Sequence, residues 1–459
     1  MRFALLAATA LILMPAAALA QEATPAPPAE VAVIPGLVAQ VSADRIEADI
    51  RTLVGFGTRH SLSETESDTR GIGAARRWVH AEFERISAAC GGCLEVMYIG
   101  REYTGERVPD PTEIISVVAI QRGTADPNRH VLIGGHLDSR VTDVMNFTDD
   151  APGANDDASG VAGAIEAARV LSTQRFPGSI VYVAFSGEEQ GLVGARFVAE
   201  HAREQNWRLI GVLNNDMIGN IRGITGAIDN GTARIFSEGP RVTESETEAR
   251  QRRFTGGEID SPSRNLARYI DGVADRYIAN LDTQLVYRLD RFGRGGDHRS
   301  FNDLGFPAVR VMETLENYDR QHQDLRTENG VAYGDVIEGV DFDYAAKLTS
   351  LNVAALAALS LAPPPPADVT IEGAVSADTT LKWSLPSAQQ TPNLAGYRIY
   401  WRETTAPQWT HSRWVGRVAE HTLENTIIDN YAFGIAAVST DGAESPVVFP
   451  GAAGSFGGY

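Results

Sequence analysis

The chain has 459 residues, which is too long for one ordinary domain, because single hydrophobic cores seldom grow beyond about 250–300 residues. Hydrophobic residues make up 43% of the chain and charged residues 22%, both near the globular average, so the composition excludes a disordered protein. Acidic residues outnumber lysine and arginine by 59 to 40, and the net charge of −19 argues against nucleic acids and anionic membrane surfaces as partners.

The first twenty residues have the pattern of a secretory signal peptide. Residues 1–20 begin with the basic Arg2, continue with an apolar stretch and end in Ala-Leu-Ala, the small-residue pattern that a signal peptidase cleaves. A membrane anchor is the alternative, but the run is barely long enough to span a bilayer and contains Pro15. We therefore expect an exported protein, periplasmic or extracellular, without a stable membrane anchor, whose mature chain starts near Gln21.

An extended lead-in and two helices are predicted next. Residues 21–38 are rich in Pro and Ala, which is typical of an extended segment. Apolar residues recur at steps of three and four in VSADRIEADIRTLV and in GIGAARRWVHAEFERI, so both are predicted as helices.

The chain contains two cysteines, Cys90 and Cys93, in the stretch AACGGCLE. In an oxidising compartment, a local disulfide that closes the Gly-Gly turn is the favoured interpretation. A thioredoxin-like redox pair is the alternative, but that motif opens a helix after a strand, whereas this one follows a predicted helix.

Strand-like and helical segments alternate from His130 onwards. VLIGGHLDS, SIVYVAFSGEE and RLIGVLNNDMIG are apolar and strand-like, whereas SGVAGAIEAARVLS and GLVGARFVAEHARE are helical. This order predicts a three-layer α/β/α domain over residues 39–361 with a mixed, largely parallel sheet, whose ligands bind beyond the carboxyl ends of the strands. Residues 221–265 break the alternation and are predicted to be an insertion or a lid.

A proline run separates this domain from the C-terminal part of the chain. Residues 362–367 are predicted to be a linker, because four consecutive prolines cannot continue a helix. Residues 368–459 contain short alternating strands such as TTLKWSLP and YAFGIAAVSTDG, which predict an all-β sandwich. Over about residues 367–450 this part resembles a fibronectin type III module, with Trp383 and Tyr431 as core aromatics, and polymer or protein contact through it is a hypothesis.

Five acidic or imidazole residues lie at predicted strand ends or in the loops after them: His136, Asp156, Glu189, Asp216 and His322. Each alone is weak evidence, and Asp157 can equally be an N-cap of the following helix. Together they provide one His-carboxylate set for each of two neighbouring zinc ions, joined by a shared carboxylate. Asp138, two residues after His136 on the same strand face, can accept the proton of the other imidazole nitrogen.

The segments that carry these residues resemble the exported bacterial di-zinc aminopeptidases, which are co-catalytic zinc exopeptidases related in fold to glutamate carboxypeptidase II. The resemblance covers about residues 40–360 and rests on HLDS, GANDDASG, AFSGEEQGLVGARFVAE, NNDMIG, GDHRSFNDLGFPAV and HQD. It implies one metal set of His136, Asp156 and Asp216 and a second of Asp156, Glu189 and His322. It also implies that Glu188 is the general base and that the Asp156-Asp157 peptide bond is cis.

One feature departs from the family. The last ligand of the family commonly follows a tyrosine that stabilises the oxyanion, whereas His322 follows Gln321 and the nearest tyrosine is Tyr318. His298 in GDHRSF is therefore an alternative ligand. We favour His322, because GDH usually lies upstream of the ligand histidine in the family, which leaves Asp297 and His298 as supporting residues.

The resemblance implies a zinc-dependent aminopeptidase with two zinc ions per chain that acts on peptides with a free N-terminus. A water between the metals would attack the peptide carbonyl, and Glu188 would take its proton and pass one to the leaving amine. A carboxypeptidase and a glutaminyl cyclase are alternatives on the same fold. A non-catalytic peptide-binding protein is disfavoured, because no ligand of the motif set is missing.

Overall fold

The computed structural model describes residues 25–389 and 391–456. The predicted signal peptide and residues 21–24 lie outside the described residues. The helices are α1 Ile34–Val38, α2 Ala43–Gly55, α3 Gly71–Ala89, α4 Ala158–Leu171, α5 Val193–Glu204, α6 Glu246–Thr255, α7 Pro262–Tyr277, α8 His298–Asn302 and α9 Phe342–Leu361. The strands are β1 Leu94–Gly105, β2 Val108–Gln121, β3 Asp126–His136, β4 Gly178–Phe185, β5 Arg208–Asn215, β6 Thr232–Ser237, β7 Asp282–Val286, β8 Ala308–Glu313, β9 Arg326–Glu328, β10 Val331–Tyr333, β11 Thr370–Glu372, β12 Thr379–Lys382, β13 Leu394–Glu403, β14 His411–Gly416, β15 Glu420–Leu423 and β16 Tyr431–Ser439.

An eight-stranded sheet forms the centre of the larger domain, in the order β1-β2-β4-β3-β5-β8-β6-β7. Its middle strands β4, β3, β5 and β8 are mutually parallel, while β1 and β2 pair antiparallel at one edge and β6 runs antiparallel to β8. The register aligns His136 with Phe185 on the neighbouring strand, so the carboxyl ends of the middle strands meet at one edge. The predicted mixed, largely parallel α/β fold is confirmed.

Strand β4 shows why its sequence is apolar without alternation. Ile180, Tyr182 and Ala184 enter the core that contains α4 and α9, whereas Val181, Val183 and Phe185 enter the core on the opposite face with α5. Both faces of the sheet are therefore covered by helices, and every position of the strand is buried.

Helix α9 is long and apolar enough to cross a membrane by length and composition. In its most apolar 18-residue window, however, 83% of the residues are buried inside the protein. Its contacts with α1, α2, α4 and α7 explain the composition, since a helix surrounded by protein has no polar face to present. We therefore describe α9 as a core helix.

The described part of the lead-in is packed rather than extended. Ile34 and Leu37 of α1 are buried in the main core, and the amide of Val31 donates to the Tyr277 hydroxyl over 2.8 Å. The short α1 lies among prolines and alanines, which is why composition alone predicted an extended segment. The described part of the lead-in therefore belongs structurally to the α/β domain.

Residues 221–265 contribute to the central sheet, which the predicted insertion did not include. Strand β6 lies between β7 and β8, but its six residues, TARIFS, are too short and too polar to stand out in the sequence. Apart from the loop that leads into β6, the part of the predicted insertion outside the sheet and its covering helices comprises about residues 238–261. Within it, α6 starts with a capping box between Ser245 and Glu248 and buries no residue.

The C-terminal part consists of two three-stranded antiparallel sheets, β11-β12-β15 and β14-β13-β16. The two sheets share one core that includes Trp383 and Phe433, whereas Tyr431 is only partly buried beside it. The connection from α9 to β11 runs through the proline-rich residues 362–369. We call this β-sandwich the C-terminal module.

A buried ion cluster joins the C-terminal module to the α/β domain. Arg402 of β13 donates from Nη2 to both carboxylate oxygens of Asp260, over 2.8 and 2.9 Å. Arg268 of α7 donates to the same carboxylate over 3.0 Å and to the Pro407 carbonyl over 2.6 Å. All three charged residues are at most 2% exposed, so the module is docked through desolvated, mutually paired charges.

Cys90 and Cys93 form a disulfide in the turn between α3 and β1, with their Cα atoms 5.6 Å apart. The turn requires its two glycines, because Gly91 and Gly92 have φ angles of +78° and +85°. Residues with a Cβ atom rarely adopt this left-handed backbone conformation.

Candidate metal centre

The strand ends bring the candidate site residues to one edge of the sheet. His136 is the last residue of β3, Glu188 and Glu189 follow β4, and Asp216 follows β5. Asp156 lies in the loop that precedes α4 and contacts the same edge. This placement follows from the parallel order of the middle strands, whose carboxyl ends form a cleft where ligands bind.

Asp156 lies between the two histidines. Its Oδ1 atom is 3.0 Å from His136 Nε2, and its Oδ2 atom is 3.0 Å from His322 Nε2. His136 Nε2 also lies 3.8 Å from Asp216 Oδ1, and His322 Nε2 lies 2.9 Å from Glu189 Oε1. The structure thus groups these five residues as two adjacent His-carboxylate sets that share one aspartate.

The electrostatics of this cluster suit a cation. Burial would raise the pKa of Asp156, but His322 and His136 hold that pKa well below its ordinary value. Burial would lower the pKa of His322, but the carboxylates of Glu189 and Asp156 raise it to about 9. The carboxylates of the cluster therefore stay ionised although they are buried. Their negative charge favours the positively charged form of the imidazoles.

The donor set fits zinc, which binds imidazole nitrogen and carboxylate oxygen. Donor atoms of His136, Asp156 and Glu189 all lie within 4.8 Å of one another. His136 Nδ1 lies 2.9 Å from the main-chain carbonyl of Asp138, which can only accept, so Nδ1 carries a proton and Nε2 is the atom available to bind a metal.

The side chain of Asp138 has a different role from the predicted one. Its carboxylate is 3.9 Å from His136 Nδ1, too far for the expected hydrogen bond, because the main-chain carbonyl of the same residue occupies that position. The carboxylate instead accepts from the Ser61 hydroxyl over 3.1 Å and from the amides of Glu188 and Glu189 over 3.2 and 3.0 Å. Asp138 therefore orients the main chain of the two glutamates.

Asp157 holds three main-chain amides. Its side chain accepts from the amide of Gly160, which makes it the N-cap of α4, and from the amides of His136 and Met217 over 2.8 and 3.2 Å. Asp157 is therefore both the N-cap of α4 and a support for the main chain at His136 and Met217. The Asp156-Asp157 peptide bond is cis.

Glu188 and Asp297 are two further carboxyl groups at the cluster. Glu188 is half-buried, and burial raises its pKa well above the ordinary value, with the negative charge of Glu189 adding to the effect. Asp297 is fully buried at the start of α8, and burial likewise raises its pKa. Among the described residues, neither oxygen of Asp297 has a hydrogen-bond partner.

In the part of the chain that the structure describes, the alternative ligand His298 makes no hydrogen bond or ion pair with the candidate ligands. It is fully buried, and its Nε2 atom is 2.8 Å from the carbonyl of Leu289. Tyr318 is 52% exposed, and within the described ranges no hydrogen bond joins its side chain to the candidate ligands. Gln321, which stands before His322, donates from Nε2 to Asp156 Oδ2 over 3.0 Å. The residue directly before the candidate ligand His322 thus contacts the shared carboxylate of Asp156.

Two arginines at the cluster were not predicted from the sequence. Arg140 Nε lies 2.8 Å from Glu189 Oε2, and its Nη2 lies 2.6 Å from His322 Nδ1. Arg310 Nη2 lies 2.8 Å from Asp216 Oδ1. A signal for Arg310 did exist, because a charged residue in the apolar strand FPAVRVME requires a buried partner.

Comparisons with known proteins agree with this geometry. Residues 116–335 match the model of peptidase family M28. A "Probable zinc metalloprotease" of Leptosphaeria maculans is 46% identical over 430 residues, covering 93% of this chain and 98% of the relative. A protein with the same description from Pyrenophora teres f. teres is 44% identical over 435 residues, covering 94% of this chain and 88% of the relative.

Both relatives are fungal, whereas the sequence resemblance was to bacterial enzymes, so a bacterial source is not shown. The solved LapA aminopeptidase of Legionella pneumophila covers 72% of this chain and 72% of its own, with a TM-score of 0.51 and 21% identity, which shows a shared fold alone. With nearly half of its residues identical to those of relatives aligned over almost their whole length, the chain belongs to peptidase family M28.

Proposed function

We propose that this M28 peptidase is a zinc-dependent aminopeptidase that binds two zinc ions and removes the N-terminal residue from peptides. The observation that carries the proposal is Asp156, whose two oxygens each lie 3.0 Å from the Nε2 atom of a different histidine. A carboxylate in that position can serve two metal ions at once. The description of the fungal relatives as probable zinc metalloproteases supports zinc as the metal.

His136 and Asp216 would hold one ion together with Asp156, and His322 and Glu189 would hold the other. Zinc ions bound there would supply a water of lowered pKa and polarise the scissile carbonyl. The remaining chemistry falls to the side chains around them.

Glu188 is our candidate for the group that moves the proton. Its amide donates to Asp138 Oδ1 over 3.2 Å, and its carboxyl group lies close enough to His136 and Asp216 for their charges to shift its pKa. Burial raises its pKa, which favours a carboxyl group that can hold a proton between two steps. We assign Glu188 to accept a proton from the attacking water and to donate one to the leaving amine.

A carboxypeptidase is the second candidate, and Arg140 is the residue that favours it. This arginine is 18% exposed beside Glu189 and His322, and an arginine near the reacting bond is the group that binds a C-terminal carboxylate. We prefer the aminopeptidase because Arg140 already pairs with Glu189 over 2.8 Å. A glutaminyl cyclase, which works with one zinc ion, would leave the second His-carboxylate set without a purpose.

Three versions of one peptide distinguish these candidates. The purified zinc-loaded protein is given a peptide with both ends free, the same peptide N-acetylated, and the same peptide C-amidated, while zinc is counted by elemental analysis. We expect two zinc ions per chain, N-terminal cleavage of the free and the amidated peptide, and no cleavage of the acetylated one. Cleavage of the acetylated peptide from its C-terminus would replace the proposal with a carboxypeptidase. Cyclisation of N-terminal glutamine with one zinc ion would replace it with a cyclase.

We also propose that the protein is exported. The signal-peptide pattern of residues 1–20 and the disulfide between Cys90 and Cys93 support this location, because disulfides persist in oxidising compartments.

A further inference from the structure

Arg59 contacts the chain segments next to the metal centre and belongs to none of the sequence motifs that predicted this centre. The residue follows α2 and is 1% exposed. Its guanidinium group donates to four main-chain carbonyls: Nε to Leu137 over 2.8 Å, Nη1 to Leu53 over 3.2 Å and to Pro152 over 2.6 Å, and Nη2 to Gly153 over 2.9 Å. A side chain with this many donors in one plane is specific to arginine.

Three of these four carbonyls, those of Leu137, Pro152 and Gly153, belong to the two chain segments that deliver metal ligands. Leu137 stands directly after His136, and residues 152–153 lead into the loop that carries Asp156. The guanidinium group therefore bridges the end of β3 and the loop before α4, at the place where their ligands must meet.

The main chain of Arg59 joins the same two segments a second time. Its amide donates to the Ser139 hydroxyl over 3.1 Å, and that hydroxyl donates to the carbonyl of Ala151 over 2.7 Å. The amide of Ala151 in turn donates to Gly57 over 2.9 Å. The two ligand segments are thus tied to residues 57–59 through both side-chain and main-chain contacts.

A charged group in this place serves more than packing. Burial lowers the pKa of Arg59 to about 10, partly offset by Asp335 and Asp157, so the group remains a cation at neutral pH. An apolar side chain would fill the same space but would leave buried carbonyls without donors. Burying this cation costs free energy of desolvation. In return, its hydrogen bonds fix the arrangement of the loops that carry the candidate ligands.

We propose that Arg59 is a positioning residue of the metal centre, which sets the separation of His136 and Asp156 through the carbonyls of Leu137, Pro152 and Gly153. This inference rests on the proposed zinc site. It predicts that Arg59 controls how tightly zinc is held and not only how stable the fold is.

Arg129 provides a matched control, because it is a buried arginine at the opposite end of the same strand. It is 2% exposed and donates to the carbonyls of Leu359 and Ser360 over 2.8 and 3.1 Å, far from any candidate ligand. R59K and R129K both keep the charge and lose the planar set of donors. Both are made in the full chain.

Zinc affinity is measured by competition with a chromogenic chelator, and Tm is measured in excess chelator. We expect R59K to bind zinc about tenfold or more weakly than wild type, as is typical when a partner that orients metal ligands is lost. We expect R129K to lower Tm while leaving zinc affinity unchanged. Zinc affinity that falls equally in both variants, or in neither, overturns the inference.

S139A covers the case in which R59K does not fold, because it removes only the hydroxyl between Arg59 and Ala151. We expect S139A to fold and to bind zinc more weakly than wild type, and where R59K does not fold, unchanged zinc affinity in S139A overturns the inference. If wild type binds no zinc, the proposed function itself fails. If wild type binds zinc and both R59K and S139A bind it equally well, only the role of Arg59 fails.

Discussion

Arg310 pairs with Asp216 at a distance of 2.8 Å, in a place where neither side chain is more than 4% exposed. The other terminal nitrogen of Arg310 donates to Asp290 over 3.2 Å, so one guanidinium group neutralises two buried carboxylates. Burial would raise the pKa of Asp216, but Arg310 and then His136 lower it. Arg310 therefore keeps this candidate metal ligand ionised.

Replacing Arg310 should lower the free energy of unfolding. R310M has a side chain of similar length without the charge, and it removes the guanidinium group that the buried carboxylates of Asp216 and Asp290 share. We expect a loss of about 3–5 kcal/mol in the free energy of unfolding, measured with urea in excess chelator. R326A removes an exposed ion pair with Glu328 and should cost at most about 1 kcal/mol. An equal loss in the free energy of unfolding for R310M and R326A would show that the buried ion pair stabilises the fold no more than the exposed one.

The adjacent glutamates after β4 should separate metal binding from catalysis. E188Q removes the assigned proton acceptor and leaves the ligands in place, so we expect wild-type zinc content and a kcat reduced by about 10²–10⁴-fold. E189Q removes a ligand beside His322, so we expect loss of zinc from that set. Zinc counting and turnover on one aminoacyl substrate test both variants. Wild-type kcat in E188Q would refute the assignment.

Replacing Asp138 should disturb the positions of Glu188 and Glu189 more than the position of His136. In D138N the amide group replaces one oxygen that accepts from Ser61 and Glu189, so a donor would face donors. We expect kcat and zinc affinity to fall by about 10–100-fold, as for other partners that orient metal ligands. S61A, which removes one donor and leaves both amide contacts, should have a much smaller effect. A D138N variant with wild-type activity would contradict the assigned role.

Zinc affinity should rise with pH. The pKa of His322 is about 9 in the metal-free protein, and the pKa of His136 is also raised, by Asp156 and Asp216 against the effect of burial. Both imidazoles therefore carry a proton at pH 7 that zinc must displace, and this competition weakens towards pH 9. Calorimetry in two buffers of different ionisation enthalpy should detect the released protons. A heat of binding that is independent of the buffer would contradict the prediction.

The fold was predictable because its main features leave periodic patterns. The apolar run of β4 predicted a strand buried on both faces, and the polar residues after each strand predicted the edge where the site lies. Strand β6 was missed because six residues with Thr and Arg among them carry too weak a pattern. Its place in the sheet depends on pairing with β8, which is distant in sequence.

Other parts of the site depend on geometry that residue types do not encode. His136 contacts the main-chain carbonyl of Asp138 and not its carboxylate, and only the path of the loop decides between them. Arg59 has main-chain partners alone for its guanidinium group, and main-chain carbonyls are present at every residue. Its role therefore has no signature in the sequence.

The ion cluster of Arg402, Asp260 and Arg268 also bears on how the protein can be shortened. The proline run at residues 362–367 is the obvious place to cut the gene, since it separates two folded parts. A product that ended there would leave Asp260 with one of its two arginines and would deprive Arg268 of the Pro407 carbonyl. Protein engineers who want a smaller enzyme should therefore redesign this surface for contact with water before removing the C-terminal module.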